Sequence, residues 1–244
     1  IEFHSSVKVL NKIELPEFIF IKIEKQRCYL GSYAHVIKLK TKSVSLRKLL
    51  MKNLVIIGHP DQGSFCYNGI FKTVVDTLEA TQQEYKVIDL YRDSFTRPRT
   101  AVIEKYKELV TWSDNMYFIS PVWWFRLTPR MEIFFDEVFT PGFAYKFVNV
   151  TKLYAYPKAF LKDKKIRTYV THGAPAIPVK TLYLNSVKLR LVMGVYSFVF
   201  GWKLSLFTKT KQFWSVPFVN DEKRKKYLSI VRKDVQRDIK KATT

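Results

Sequence analysis

Apolar residues recur along the chain in two different rhythms, and the switches between them outline a fold. Residues 52–57 form a short apolar run of strand length, whereas 67–80 place Ile70, Phe71, Val74, Val75 and Leu78 three and four positions apart, as one helix face requires. The alternation continues with a strand over 86–90, a helix over 101–112, a strand over 115–120 and a helix over 129–139. That helix opens on Pro129, at the turn where a missing N–H costs nothing. A fourth strand is predicted over 165–171, a helix over 180–193, a fifth strand over 195–202 and a closing helix over 221–240.

Strands that alternate with helices across short loops build parallel βαβ units with right-handed crossovers. Five of them predict an α/β fold with a doubly wound sheet, in which ligands bind beyond the carboxyl ends of the strands, where strand order reverses. The loops leaving the first, third and fourth strands are GHPDQGSF (58–65), SPVWWF (120–125) and THGAP (171–175), and they should converge on one edge.

The first 50 residues break this rhythm: they hold short apolar runs without a strand and helix alternation, and at Met51 the character changes to a start methionine followed by a buried-type strand. The expectation is a domain over 51–244 that starts at Met51, with residues 1–50 upstream translated or non-native sequence; the alternative is a genuine N-terminal extension. With 47% of residues apolar the chain can bury a substantial core. No unbroken apolar run approaches the roughly 18 residues of a spanning helix, so a soluble protein is expected.

Cys28 and Cys66 match no metal-ligand spacing and suggest no disulfide framework, which fits a reducing cytoplasm. The net charge of +21 raises the question of nucleic acid. The basic residues are dispersed, however, and partly interleaved with acids, so a solvated basic surface is expected and a nucleic-acid groove is not. Such a surface still favours anionic substrates or membrane headgroups at long range, which allows peripheral membrane association.

Chemistry concentrates in the three loops. GHPDQGSFCYN sits where a strand feeds a helix, and helix N-termini bind phosphate through free N–H groups and the dipole. It lacks both GxGxxG and the Gly-Lys-Ser/Thr of a P-loop. His59 and Ser64 read as phosphate partners, or Ser64 as the N-cap of an ordinary polar loop. In SPVWWF, Trp123 and Trp124 cannot share one face, so at least one is accessible or meets a planar ligand; the alternative is an anchor in a core or a dimer contact. His172 is either a hydrogen-bonded structural residue or an acid-base group. No Ser-His-Asp order with a nucleophile elbow and no metal-ligand cluster is present.

Taken together, GHPDQGSF, DLYRDSFTRP, SPVWWFRLTPRMEIFFDEVFTPGFAYKF and VTHGAP resemble the flavodoxin-like NAD(P)H:quinone oxidoreductase family, which includes the modulator-of-drug-activity type and the ancillary flavoproteins of potassium-efflux systems. The tail GVYSFVFGWK is similar to the family's last strand. The resemblance implies strand order 2-1-3-4-5, a tightly bound flavin, and a homodimer with its active site at the subunit interface. It implies that His59, Ser64 and Phe65 hold flavin phosphate, with Cys66 standing where the family often has asparagine. Pro121, Val122, Trp123, Trp124 and Phe125 would cradle the ring system, with backbone N–H groups along one edge. Thr171, His172 and Gly173 would meet its pyrimidine end, His172 being the candidate catalytic residue. Either FMN or FAD is allowed, and the ending at Thr244 leans the expectation to FMN. The implied reaction is ping-pong transfer of a hydride from NAD(P)H through the flavin to a quinone or similar acceptor. An alternative is a regulatory flavoprotein subunit of a potassium-efflux or other transport system. Where the family has a second glycine and a nearby tyrosine, this chain has Ala174 and, downstream, Tyr183.

Overall fold

The computed structural model describes residues 51–94, 97–153 and 155–243, with side chains as far as residue 240. The expected extension over 1–50 lies outside the described residues. Strand β1 (Asn53–Ile57) leads to helix α1, whose first part (Phe65–Phe71) has π geometry and whose second (Lys72–Ala80) is α-helical. β2 (Tyr85–Asp89), α2 (Thr100–Trp112), β3 (Asn115–Pro121) and α3 (Pro129–Val138) follow as the periodicity predicts.

A two-stranded antiparallel hairpin, β4 (Tyr145–Asn149) and β5 (Ala155–Ala159), then precedes β6 (Lys165–Thr171). The remainder comprises α4 (Ala176–Lys180), α5 (Ser186–Leu189, continuing through Arg190–Tyr196 in π geometry and Ser197–Phe200), α6 (Ser205–Lys209), β7 (Thr210–Phe213) and α7 (Asp221–Thr243).

The main sheet has the order β2-β1-β3-β6-β7 with every pairing parallel. Counting only its own strands, that is 2-1-3-4-5, with strand order reversing between β1 and β3, as expected. Each central strand is apolar on both faces because helices cover both. Leu54 and Ile56 of β1 face the cluster built by α2, α3 and α5, while Val55 and Ile57 face the cluster built by α1 and α7. Each fully buried aliphatic chain of this kind contributes about 1.5–3 kcal/mol relative to exposure.

Two expectations are corrected. The segment 195–202 is not the fifth strand: Tyr196, Val199 and Phe200 point one helical face into the core, so the β-branched and aromatic run belongs to α5. The fifth strand is Thr210–Phe213, a short edge strand whose Lys211 and Gln212 are only half-buried. The helix predicted over 180–193 starts instead at Ser186, after Leu184 and Asn185 take positive φ values of 49° and 51° that interrupt the turn.

Candidate functional site

The carboxyl ends of β1, β3 and β6 are tied to one another by backbone hydrogen bonds. Gly58 N–H donates to Ile119 O (2.9 Å), and Val122 N–H donates to Thr171 O (2.8 Å). Thr128 Oγ1, just before α3, donates to Gly58 O at 2.9 Å. A Cβ on Gly58 would lie 3.0 Å from that hydroxyl oxygen and 3.1 Å from Met131 Cε, so a glycine lets the first loop close against the third.

Between the loops is a cavity of about 370 Å³. His59, Ser64, Phe65 and Cys66 line one side; Pro121, Val122 and Trp123 a second; Thr171, His172 and Gly173 a third. Val216, Pro217 and Arg224 complete the wall from the carboxyl-terminal segment. A larger cleft of about 690 Å³ at the start of α2 holds none of the three strand-end loops, and its Arg99 and Glu137 are joined by a bidentate ion pair.

Each side chain has a defined task in this geometry. Asp61 N–H donates to His59 Nδ1 at 3.0 Å, which makes that nitrogen an acceptor and leaves the ring proton on Nε2. Burial lowers the His59 pKa, more than Asp61 restores it, so the ring is a neutral donor. Ser64 is the N-cap of α1: its Oγ accepts from Tyr67 N–H at 3.2 Å and donates to Asp61 O at 2.7 Å. The hydroxyl hydrogen is therefore already committed. The remaining first-turn N–H groups of α1 have no partner within the helix. Cys66 is buried against Thr171, and desolvation pushes its thiol up to about 12, which makes it an uncharged packing group.

His172 is held from three directions. Its N–H donates to Phe213 O (2.8 Å), its carbonyl accepts from Val216 N–H (2.9 Å), and its ring stacks on Trp214. The Gln212 Nε2 amide donates to His172 Nε2 at 3.0 Å, so the ring proton sits on Nδ1. Burial lowers its pKa to about 4, and the ring is neutral near pH 7. Gly173 has nothing within 4 Å of where a Cβ would stand, so its free side is open space.

SPVWWF takes a form that spacing could not foretell. Trp123 N–H donates to Arg126 O (2.8 Å), and Arg126 N–H returns to Trp123 O (3.1 Å). The two central residues, Trp124 and Phe125, have φ of 52° and 57°. Two positive φ values define a type I′ turn, which prefers Asn-Gly, and bulky aromatics in it carry backbone strain. Trp123 lines the cavity and meets the His59 ring edge-on at 6.1 Å. Trp124 and Phe125 do not line it: Trp124 is 92% exposed, and Phe125 rests on Tyr183 at 4.4 Å between ring centroids. The N–H of Val122 is spent on Thr171 O and that of Trp123 on Arg126 O, so neither is free for a ligand.

Arg224 is the residue that sequence reasoning missed. It stands in the first turn of α7, its Nε is buried without a hydrogen-bond partner, and its ion pair with Asp221 is long at 3.6 Å. An unpartnered guanidinium nitrogen beside a helix N-terminus suits an anionic ligand. The signal was present in NDEKRKKYL, but only the tertiary fold distinguishes Arg224 from its basic neighbours. Among the described residues, no group of His, Cys, Asp and Glu could hold a metal ion, and no helix is long and apolar enough to cross a membrane.

A parallel sheet whose order reverses at β1 and β3, with a cavity above that point, defines a doubly wound α/β protein of the ligand-binding kind. The chain belongs to the family described as flavodoxin-like fold, whose model matches residues 51–188. It is 32% identical over 95 residues to an uncharacterized NAD(P)H oxidoreductase, YdeQ, of Bacillus subtilis; the match spans 39% of this chain and 45% of that protein, so less than half the relative's length is covered. Among solved structures, an NAD(P)H:quinone oxidoreductase from Methanothermobacter marburgensis superposes with a TM-score of 0.57 at 19% identity, covering 76% of this chain and 96% of that one. An FMN-dependent NADH-azoreductase from Bacillus anthracis, in complex with FMN, superposes with a TM-score of 0.55 at 13% identity, covering 80% of this chain and 100% of that one. At these identities the structural likeness concerns the fold.

Proposed function

We propose that the protein is a flavin-dependent oxidoreductase that passes reducing equivalents from NAD(P)H to a quinone or similar electrophilic acceptor. The observation that carries this reading is the convergence of the three strand-end loops on one cavity, with Arg224, whose buried Nε has no hydrogen-bond partner, at its phosphate-type end. The names of the relatives, oxidoreductases that use NAD(P)H or NADH, support it. When bound, the flavin supplies a ring that takes and returns two electrons as a hydride, in a ping-pong cycle.

The chain's own residues do the rest. Arg224, His59 Nε2–H and the first turn of α1 bind the phosphate end. Pro121, Val122 and Trp123 form the wall against which the ring lies. His172, being neutral, acts as a hydrogen-bonding wall of the cavity; it does not serve as a cationic acid near pH 7.

The exposed rim of Trp124, Phe125, Leu182, Tyr183 and Leu184 suits closure by a second copy of the chain, giving a homodimer with the site at its interface. Between Val138 and Asp221 the only acid is Asp163 amid many lysines and arginines, which favours an anionic dinucleotide as reductant.

The test is direct. The purified protein, reconstituted with FMN or FAD, should turn yellow, bleach on mixing with NAD(P)H under nitrogen, and recover its colour on adding menadione. A protein that takes up neither flavin would overturn the reading.

A further inference from the structure

The main sheet ends at β7, and among the described residues no further strand pairs with its outer edge. Along that edge runs a cavity of about 350 Å³, lined by every residue from Thr210 to Trp214 and walled by α6 on one side and α7 on the other. Phe213 O accepts from His172 N–H, so Phe213 turns its backbone towards β6, and the alternation of a parallel ladder turns that of Gln212 outward. Thr210 N–H is taken by Leu206 O, and Trp214 O by the Tyr227 hydroxyl at 3.1 Å. The Gln212 N–H and C=O, midway along the edge, meet no partner among the described residues. An edge of this kind is a template for another strand.

The two walls differ in chemistry. Side chains of a strand alternate between the faces of a sheet, and Gln212 and Trp214 share the α6 face while Phe213 joins Tyr227 on the α7 face. Lys180 and Lys188 stand on the first side, Lys180 Nζ lying 5.6 Å from the centre of the Trp214 ring. Among the described residues neither lysine is ion-paired. Burial lowers the Lys188 pKa and the Lys180 charge lowers it further, so a carboxylate beside the two would relieve both. The opposite wall is Phe213, Tyr227 and Ile230, and its one cation, Lys211, is already neutralised by Asp234 at 2.6 Å.

We propose that this groove takes an extended segment of another protein, one in which acidic and apolar residues alternate, as a further strand of the sheet. Its backbone pairs with Gln212, its carboxylates face Lys180 and Lys188, and its apolar side chains lie on Phe213, Tyr227 and Ile230. Backbone pairing supplies affinity and the unlike walls supply register, because a slip of one residue would turn every carboxylate to the apolar side. The proposal does not rest on the flavin reading. The two meet at His172, which Gln212 and Trp214 hold from the same strand, so an occupant of the groove stiffens the support of one wall of the strand-end cavity.

The experiment is fluorescence anisotropy of the full chain with three labelled hexapeptides: glutamate alternating with valine, lysine alternating with valine, and the glutamate peptide with its backbone amides methylated. The first should bind at least about tenfold tighter than either of the others, since methylation keeps every charge and removes the strand's donors. The Lys180→Glu, Lys188→Glu double variant should lose about tenfold in affinity for the first peptide. Hydrogen exchange of the wild type should show the 210–214 amides slowed by that peptide. Equal binding of the methylated peptide, or unchanged exchange at 210–214 with the peptide bound, would overturn strand addition and leave a plain anion site. Failure of the glutamate peptide to bind would remove the proposal altogether.

Discussion

The imidazole of His172 lies nearly flat against the indole of Trp214, with centroids 4.2 Å apart and planes inclined by 25°. Burial holds the ring neutral, with its pKa lowered to about 4 against an ordinary 6.5. The folded-state value is the lower one, so the unfolded chain binds the extra proton first as the pH falls. The contribution to stability is full above about pH 6.5 and is lost between there and pH 4, to an extent of about 3 kcal/mol. Urea unfolding of wild type and His172→Asn from pH 4 to 7 should show a component of pH dependence in the wild type that the variant lacks. Parallel curves would mean that the ring is protonated in the native state.

Trp124 gains almost nothing from burial and sits at positive φ. Trp124→Gly should therefore raise the unfolding free energy, by about 1 kcal/mol, because glycine relieves strain of about 1–3 kcal/mol at a small entropic cost. The same variant should retain flavin less well or turn over acceptor more slowly. A lower unfolding midpoint would place the indole in a packing role instead.

Desolvation raises the pKa of the buried Cys66 thiol more than the Thr171 hydrogen bond lowers it, which keeps the thiol protonated at any working pH. Iodoacetamide at pH 8 should leave the Cys66 peptide unmodified in the native protein and label it in urea, as peptide mass spectrometry would show. Rapid native labelling would indicate an opened α1.

The closing helix is fastened by buried charge. Arg167 on β6 makes a bidentate pair with Asp238, at 2.5 and 2.7 Å, and a 3.2 Å ion pair with Asp234, which Lys211 also meets at 2.6 Å. Arg167→Met would strand the buried Asp238 carboxylate and leave Asp234 to Lys211 and Arg237, and a loss of about 3–5 kcal/mol is expected in chemical denaturation. A loss below about 1 kcal/mol would show that water reaches the carboxylates.

The sheet was legible because β1 and β3 are buried on both faces, β2 and β6 carry short apolar or β-branched runs, and the helices keep their period. The fifth strand was not, for a physical reason: TKQF lies at an edge, half its side chains meet solvent, and it has no apolar run to announce it. GVYSFVF carried the stronger strand composition, yet Val192, Tyr196, Val199 and Phe200 repeat at helical spacing, and packing followed the period. The hairpin β4–β5 escaped notice because most of its residues are exposed and leave no buried face in the pattern. At the site, ten residues named from the loops line one cavity, while Trp124 and Phe125 stand outside it because the turn that carries them reverses direction. Arg224 was hidden in a basic run, and only the approach of α7 to α1 gives it a separate meaning.

One rod now spans two quite different environments. In its first turn α7 presents Arg224 to the cavity, and ten residues on, about 15 Å along the axis, Asp234 is clasped by the sheet. A stiff connection of that kind ties the two ends together, so that a shift of Arg224 along the axis is also a shift of Asp234. Loss of the final helix would then take away one wall of the cavity and the carboxylates that clasp Arg167 in a single cut.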